Sequence, residues 1–314
     1  AYSLICMTPK RMVACRDPLG IRPLVMGKLG DAIVFASETV ALDVVGAQFV
    51  REVEPGELVE VRLDGRVTSH RPFGDSNPRP CIFEHVYFSR PDSIMGGTSV
   101  YQARRQIGVE LAKEAPVEAD LVVPVPDSGV PAAIGYAQQS GIPFELGIIR
   151  SHYVGRTFIQ PSDGQRSSSV KRKHNANRAL VEGKRIVLID DSIVRGTTSL
   201  KIVQMMREAG AAEVHMRTAS PPTMHSCFYG VDTPERSKLL AAKMDVEAMR
   251  DFIQADSLAF VSIDGLYRAV GAKGRKAACP QYCDACFTGD YPTTLTDYSE
   301  RENQAEITLP IKVA

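Results

Sequence analysis

The sequence predicts an α/β protein, a parallel sheet wrapped by helices and preceded by a smaller layered unit of antiparallel strands. Three observations carry this reading. From about residue 98, short apolar runs alternate with amphipathic stretches of roughly 10–15 residues, the rhythm of βαβ units. Before residue 75, apolar and polar residues alternate, and an Asp64-Gly65 turn divides two such runs as in a hairpin. Between the two regions, GDSNPRPC (74–81) has the Gly, Ser, Asn and Pro of a connection.

The elements follow in order. MVACRD, AIVFASE and GELVEVRLDGRVTSHRPF read as strands of the first unit, and AYSLIC at the start reads as the middle of another. Several of these lack obvious partners, which predicts exposed edges. SVYQARRQIGVELAKEA (99–115) suits a helix, ADLVVPVP (119–126) a strand, and SGVPAAIGYAQQSG (128–141) a helix closed by Gly141. PFELGIIR (143–150) is strand-like, KRIVLID (184–190) is a strand, TSLKIVQMMREAGA (198–211) a helix and AEVHMRTAS (212–220) a strand. Residues 245–270 read as helix, strand-like run and helix, which completes an expected core of five parallel strands. A long polar segment with several Arg and Lys separates Arg150 from Lys184, and a loop of that length suits a lid facing an anion.

The 314 residues, 44% of them hydrophobic, are enough for one large domain or two ordinary ones. Lys plus Arg and Asp plus Glu both number 37, a balance that argues against a general nucleic-acid binder or a membrane-surface protein. No apolar run reaches the length of a membrane span, and Lys10, Arg11 and Arg16 interrupt the first stretch, so the expected location is the cytoplasm. Seven cysteines, an odd number, do not suggest a disulfide framework, and three of them crowd into CPQYCDAC near the C-terminus, a metal or redox signature.

The most informative stretch is VLIDDSIVRGTTS (187–199). Two adjacent carboxylates at the end of an apolar strand repel each other, and stability alone gives no reason to put them there. In an open α/β sheet, ligands bind beyond the carboxyl ends of the strands. The residues that follow, Ser192, Arg195, Gly196, Thr197, Thr198 and Ser199, can wrap backbone N–H groups around a phosphate at a helix N-terminus. Asp190 and Asp191 then make sense facing ribose hydroxyls or a magnesium ion.

This segment resembles the phosphoribosyl-diphosphate signature of the type I phosphoribosyltransferases. The resemblance implies a pyrophosphate loop after an earlier strand, which Asp127, Ser128 and Gly129 match, and a flexible catalytic loop, which YVGRTFIQP with Tyr153 and Arg156 matches. Within that superfamily the chain resembles the glutamine phosphoribosylpyrophosphate amidotransferase family. RDPLGIRPL (16–24), FASETVALD (35–43), CIFEHVYFSRPDS (81–93), CFYGVD (227–232) and CFTGDYPT (286–293) carry that resemblance along nearly the whole chain.

The resemblance implies that ammonia from glutamine displaces pyrophosphate from phosphoribosyl diphosphate, giving phosphoribosylamine, the first step of purine synthesis. It implies magnesium at Ser128, Asp190 and Asp191, and a [4Fe–4S] cluster on Cys81, Cys227, Cys283 and Cys286, as in one branch of the family. Zinc would accept the same thiolates, and Cys279 could replace one. A homotetramer inhibited by purine nucleotides is also implied. Residues 1–78 would be the C-terminal part of an αββα N-terminal-nucleophile glutaminase domain, 79–270 the phosphoribosyltransferase domain and 271–314 a cysteine-bearing tail. Residue 1 is Ala, so the family's N-terminal cysteine nucleophile is absent from this chain, which is expected to use free ammonia. The competing readings are a degenerate donor sensor without catalysis and a salvage phosphoribosyltransferase.

Overall fold

The first unit is built of two antiparallel sheets. The computed structural model describes residues 1–74, 77–151 and 174–295. One sheet holds β1 (Ser3–Thr8) and β2 (Arg11–Arg16), and the other β3 (Val25–Leu29) and β4 (Ala32–Ala36). After helix α1 (Thr39–Val45), β5 (Gln48–Glu52) joins β3, while β6 (Leu58–Arg62) and β7 (Val67–His70) extend the first sheet in the order β1-β2-β6-β7. The Asp64-Gly65 hairpin forms as predicted, with Val61 opposite Val67. Ala14, Leu24, Met26, Val53 and Val59 are the core between the sheets. On β1, Leu4, Ile5 and Met7 are 51%, 47% and 77% exposed, so the expected open edge is present.

The second unit begins with a π-helical turn, Glu84–Phe88, and a two-stranded ribbon of β8 (Ile94–Met95) and β9 (Thr98–Ser99). Helix α2 (Val100–Glu114) starts where Ser99 Oγ accepts from Gln102 N, and leads to β10 (Leu121–Pro124) and α3 (Val130–Ser140). A second ribbon pairs β11 (Ile148–Arg150) with β12 (His174–Ala176), followed by α4 (Arg178–Val181). Then come β13 (Arg185–Asp190), α5 (Thr197–Glu208), β14 (Glu213–Thr218), α6 (Val246–Ile253), β15 (Ser257–Phe260), α7 (Ile263–Ala269) and the short α8 (Ala285–Thr288).

Strands β10, β13, β14 and β15 lie side by side in that order, all parallel. Helices cover both faces, which is why Ile186–Ile189 and their neighbours form a continuous apolar run and not an alternating one. The expected fifth strand is reduced to one parallel bridge, Val122 with Phe144. PFELGIIR bonds to β10 through Val122 N to Pro143 O and Glu145 N to Val122 O, and its last residues, Ile148–Arg150, pair antiparallel with β12 instead.

The two units are joined by backbone and side-chain bonds. Arg79 N and Cys81 N donate to Leu19 O and Ile21 O at 2.8 and 3.0 Å. Glu38 accepts from Arg90 N and Ser93 Oγ at 2.8 and 2.7 Å, and Arg22 pairs with the buried Glu84 at 2.9 Å. No helix of the described residues is long and apolar enough to cross a membrane.

Candidate functional site

Strand β13 delivers Asp190 and Asp191 to the carboxyl edge of the sheet, where they are only 7% and 8% exposed. Its register with β10 sets Ile189 opposite Pro124, so the turn after β10 stands beside the acid pair. On that turn the Pro126–Asp127 peptide is cis, and Ser128 Oγ donates to Asp191 Oδ2. Gly129 is required there, because a Cβ would lie 2.3 Å from Ile189 O. Asp127 is exposed and pairs with Arg150 at the end of β11.

After the acids the chain turns sharply. Ser192 Oγ donates to Asp191 Oδ1 at 2.7 Å, and Asp191 N donates to Asp190 Oδ1 at 2.9 Å. Ile193 is buried in the core and anchors the loop. Gly196, at φ +73°, caps α5, whose first N–H groups lack intrahelical partners and face outward with Thr197 and Thr198 exposed. Arg195 is exposed, and Ser199 is buried on the first turn. The geometry sets the N-terminus of α5 at one end and a carboxylate pair at the other.

Burial pushes the Asp190 carboxyl well above the usual carboxylate range, and its neighbour Asp191 pushes it further. Asp191 is also raised by burial, but the Ser128 and Ser192 hydroxyls and the Arg104 guanidinium oppose that rise. Two buried acids with raised affinity for protons are a site that a cation would suit. Sequence reasoning missed Arg104. It lies on α2, 4% exposed, held by the carbonyls of His85 and Ser89 at 2.9 and 2.7 Å. An arginine on the buried stripe of an otherwise apolar helix face was the signal.

Cys81, Cys227, Cys283 and Cys286 line one pocket together with Phe83 and Tyr229. Backbone bonds hold the segments together, since Cys283 N donates to Pro80 O at 2.9 Å and Ile82 N to Cys283 O at 3.1 Å. Met224 N and His225 N both donate to Cys286 O at 3.0 Å. Burial pushes the Cys81, Cys283 and Cys286 thiols up, Cys283 to about 11, and the neighbouring sulfurs add to the rise. Cys279 is exposed beside Asn77 and does not line the pocket. Among the described residues no three His, Cys, Asp or Glu side chains converge to hold a single metal ion, at the acid pair or at the cysteines.

The structure therefore brings together Asp127, Ser128, Gly129, Asp190, Asp191 and the Ser192–Ser199 loop, and separately the four cysteines. Val194 of the loop lines the cysteine pocket, so the two sites share a wall. Tyr153 and Arg156 lie outside the described residues.

Residues 97–220 match the phosphoribosyl transferase domain model. The chain is 60% identical over 301 residues to the amidophosphoribosyltransferase of Rhizobium etli, covering 94% of this chain and 61% of that protein. Identity to the Bacillus subtilis amidophosphoribosyltransferase is 52%, over 94% of this chain and 62% of that one. A chloroplastic relative from Arabidopsis thaliana is 54% identical over 95% of this chain and 52% of its own length. Among solved structures, glutamine phosphoribosylpyrophosphate amidotransferase from B. subtilis, complexed with ADP and GMP, superposes with a TM-score of 0.87 at 51% identity, covering 95% of this chain and 65% of that one. The chain thus spans less than two thirds of the length of these relatives.

Proposed function

This chain belongs to the amidophosphoribosyltransferase family, and from that premise we propose that it transfers the phosphoribosyl group of phosphoribosyl diphosphate to ammonia, giving 5-phosphoribosylamine and pyrophosphate. The observation that carries this reading is the contact of Ser128 with Asp191 at the carboxyl edge of the sheet, beside the N-terminus of α5. Ser192 to Ser199 hold the 5-phosphate with helix N–H groups, with Arg195 adding positive charge. Asp190 and Asp191 accept from the ribose hydroxyls and fix the ring so that C1 faces the nucleophile. The N–H groups of Asp127 and Ser128 hold the pyrophosphate that leaves as the C1–O bond breaks. Ammonia forms the new C1–N bond and gives up a proton.

The fit to magnesium rests on two buried carboxyls whose proton affinity is raised and on the Ser128 hydroxyl between the two loops. Bound at Ser128, Asp190 and Asp191, the ion would supply charge neutralisation to the pyrophosphate. Tyr153 and Arg156 are assigned to a lid that keeps water from C1. Residues 1–78 are assigned to the ammonia-supplying glutaminase unit, 79–270 to the donor unit and 271–314 to the cysteine-bearing tail. Four cysteines lining one pocket suit a [4Fe–4S] cluster by their chemistry, and it would staple segments 81, 227 and 283–286. The same reading extends to a cytoplasmic homotetramer that binds purine nucleotides.

The test is release of pyrophosphate from phosphoribosyl diphosphate with ammonium, magnesium and the chain as written. Turnover with ammonium, and none with adenine or orotate, is expected. Asp190→Asn with Asp191→Asn is expected to lower it at least a hundredfold, on the scale of about 2.7 kcal/mol. Magnesium-dependent binding without turnover favours a donor sensor, and unchanged turnover in the double variant overturns the site.

A further inference from the structure

Asp284 is fully buried between two of the pocket cysteines, and its carboxylate accepts four hydrogen bonds. Arg275 Nε and Tyr267 Oη donate to Oδ2 at 2.6 and 2.8 Å, and Thr288 Oγ1 and Arg275 Nη2 donate to Oδ1 at 2.9 and 3.3 Å. Arg275 Nη2 also donates to Asp290 Oδ2 at 2.6 Å, and Arg79 Nη2 donates to the same oxygen at 3.0 Å. Arg79 lies two residues before Cys81. The alternating chain Arg79–Asp290–Arg275–Asp284 thus ties the segment of Cys81 to the turn of Cys283 and Cys286.

Helix α8, four residues long, is too short to hold its own shape, so this polar clamp helps to fix the turn beside the backbone bonds of Cys283 and Cys286. We propose that Asp284 and Arg275 are positioning residues of the four-cysteine pocket, which set the sulfur frame before any metal enters. The proposal rests on the reading of the cysteines as metal ligands. Neither residue would touch the metal, because the carboxylate's bonds are all directed to Arg275, Tyr267 and Thr288. The consequence is that the metal-free chain keeps its fold here, while loss of the clamp shows first in metal retention. Partners of this kind beyond the ligands change metal affinity by about 10–100-fold.

The experiment loads the full chain with iron and sulfide under anaerobic conditions. It reads iron and sulfide per chain, the visible absorption of the loaded protein, and the rate of release to a chelator, beside the melting curve of the metal-free chain. Asp284→Asn turns one acceptor into a donor facing Arg275 and is expected to speed release about tenfold. Should that variant not fold, Asp290→Asn decides, since it weakens the outer links to Arg79 and Arg275 at a half-exposed position, leaves all four bonds to Asp284 in place, and is expected to give a smaller acceleration with the melting curve preserved. Release at the wild-type rate from both variants overturns the positioning role alone. A wild-type chain that takes up neither iron and sulfide nor zinc overturns the ligand reading beneath it.

Discussion

A buried carboxyl keeps or loses its proton according to what stands within a few ångströms, and two of them in this chain sit at opposite extremes. Asp190 is pushed up by burial and by Asp191, with only the Asp191 N–H to oppose the rise. Glu57, 1% exposed, would also be raised by burial, but Arg51, Ser69 and the Glu54 N–H outweigh it and hold it at about 2. Arg51 grips it with two bonds at 2.7 and 2.8 Å, and Ser69 adds a third at 2.6 Å. A fall from 4.5 to about 2, at about 1.4 kcal/mol for each pH unit, is roughly 3 kcal/mol of stability. Because the folded value is depressed, that contribution is complete above the unfolded value and disappears as pH falls through about 2. Glu57→Gln is therefore expected to cost about 2–3 kcal/mol at pH 7 in urea unfolding, with the gap to wild type closing between pH 4.5 and 2. A gap independent of pH would mean that shape, not charge, supplies the effect. Nothing in the sequence marks Glu57, since its partners are 6 and 12 residues away and only the fold brings them together.

Elements were legible where a single face or a continuous run was buried. The periodicity of 99–115 and 128–141 predicted two helices, and α2 and α3 agree to within a residue or two. The Asp64-Gly65 signal was correct for the same local reason, with Gly65 at φ +81°. PFELGIIR, read as strand-like, adds only one bridge to the parallel sheet, because its strand residues Ile148–Arg150 pair antiparallel with β12. How closely two helices approach is not a property of either. At Gly108 a Cβ would lie 1.9 Å from Ala132 O on α3, so only glycine permits the observed contact between α2 and α3. Gly108→Val is expected to destabilise by about 3 kcal/mol or more, read as a lowered melting temperature, because the blocking atom is backbone and cannot turn aside. A melting curve within a degree of wild type would show that the helices separate freely.

The two units act as one body through charges that neither sequence region reveals alone. Arg22, in RDPLGIRPL, reaches the buried Glu84 of the second unit and lies 4.2 Å from the centre of the Phe88 ring. Burial raises Glu84, and Arg22 and the Ser89 hydroxyl oppose that rise. Arg22→Met would leave the acid buried and unpaired, with an expected cost of about 3 kcal/mol. Adding Glu84→Gln is expected to recover most of that loss in a double-mutant cycle, and additive losses would mean that the pair does not couple the units. The same assembly explains what could be read in advance. That Asp190, Asp191, Ser128 and the Ser192–Ser199 loop come together was recoverable because the proposed phosphate and ribose chemistry calls for such residue types at short spacing along one segment. The four cysteines were recognisable as a set by resemblance, and their residue type alone pointed to metal. Arg104, the Asp284 clamp and the Arg22–Glu84 pair were not recoverable. Each joins residues at least nine apart whose types have many ordinary uses, and a charge becomes informative only when folding removes the water that would otherwise screen it. The sequence by itself determined the layered first unit, the parallel sheet and the acid-bearing loop, because local period and local chemistry act over a few residues. Only the tertiary structure decided the fate of the fifth strand, the counter-charge beside Asp191 and the frame around the sulfurs, because burial and distance are properties of the packed chain.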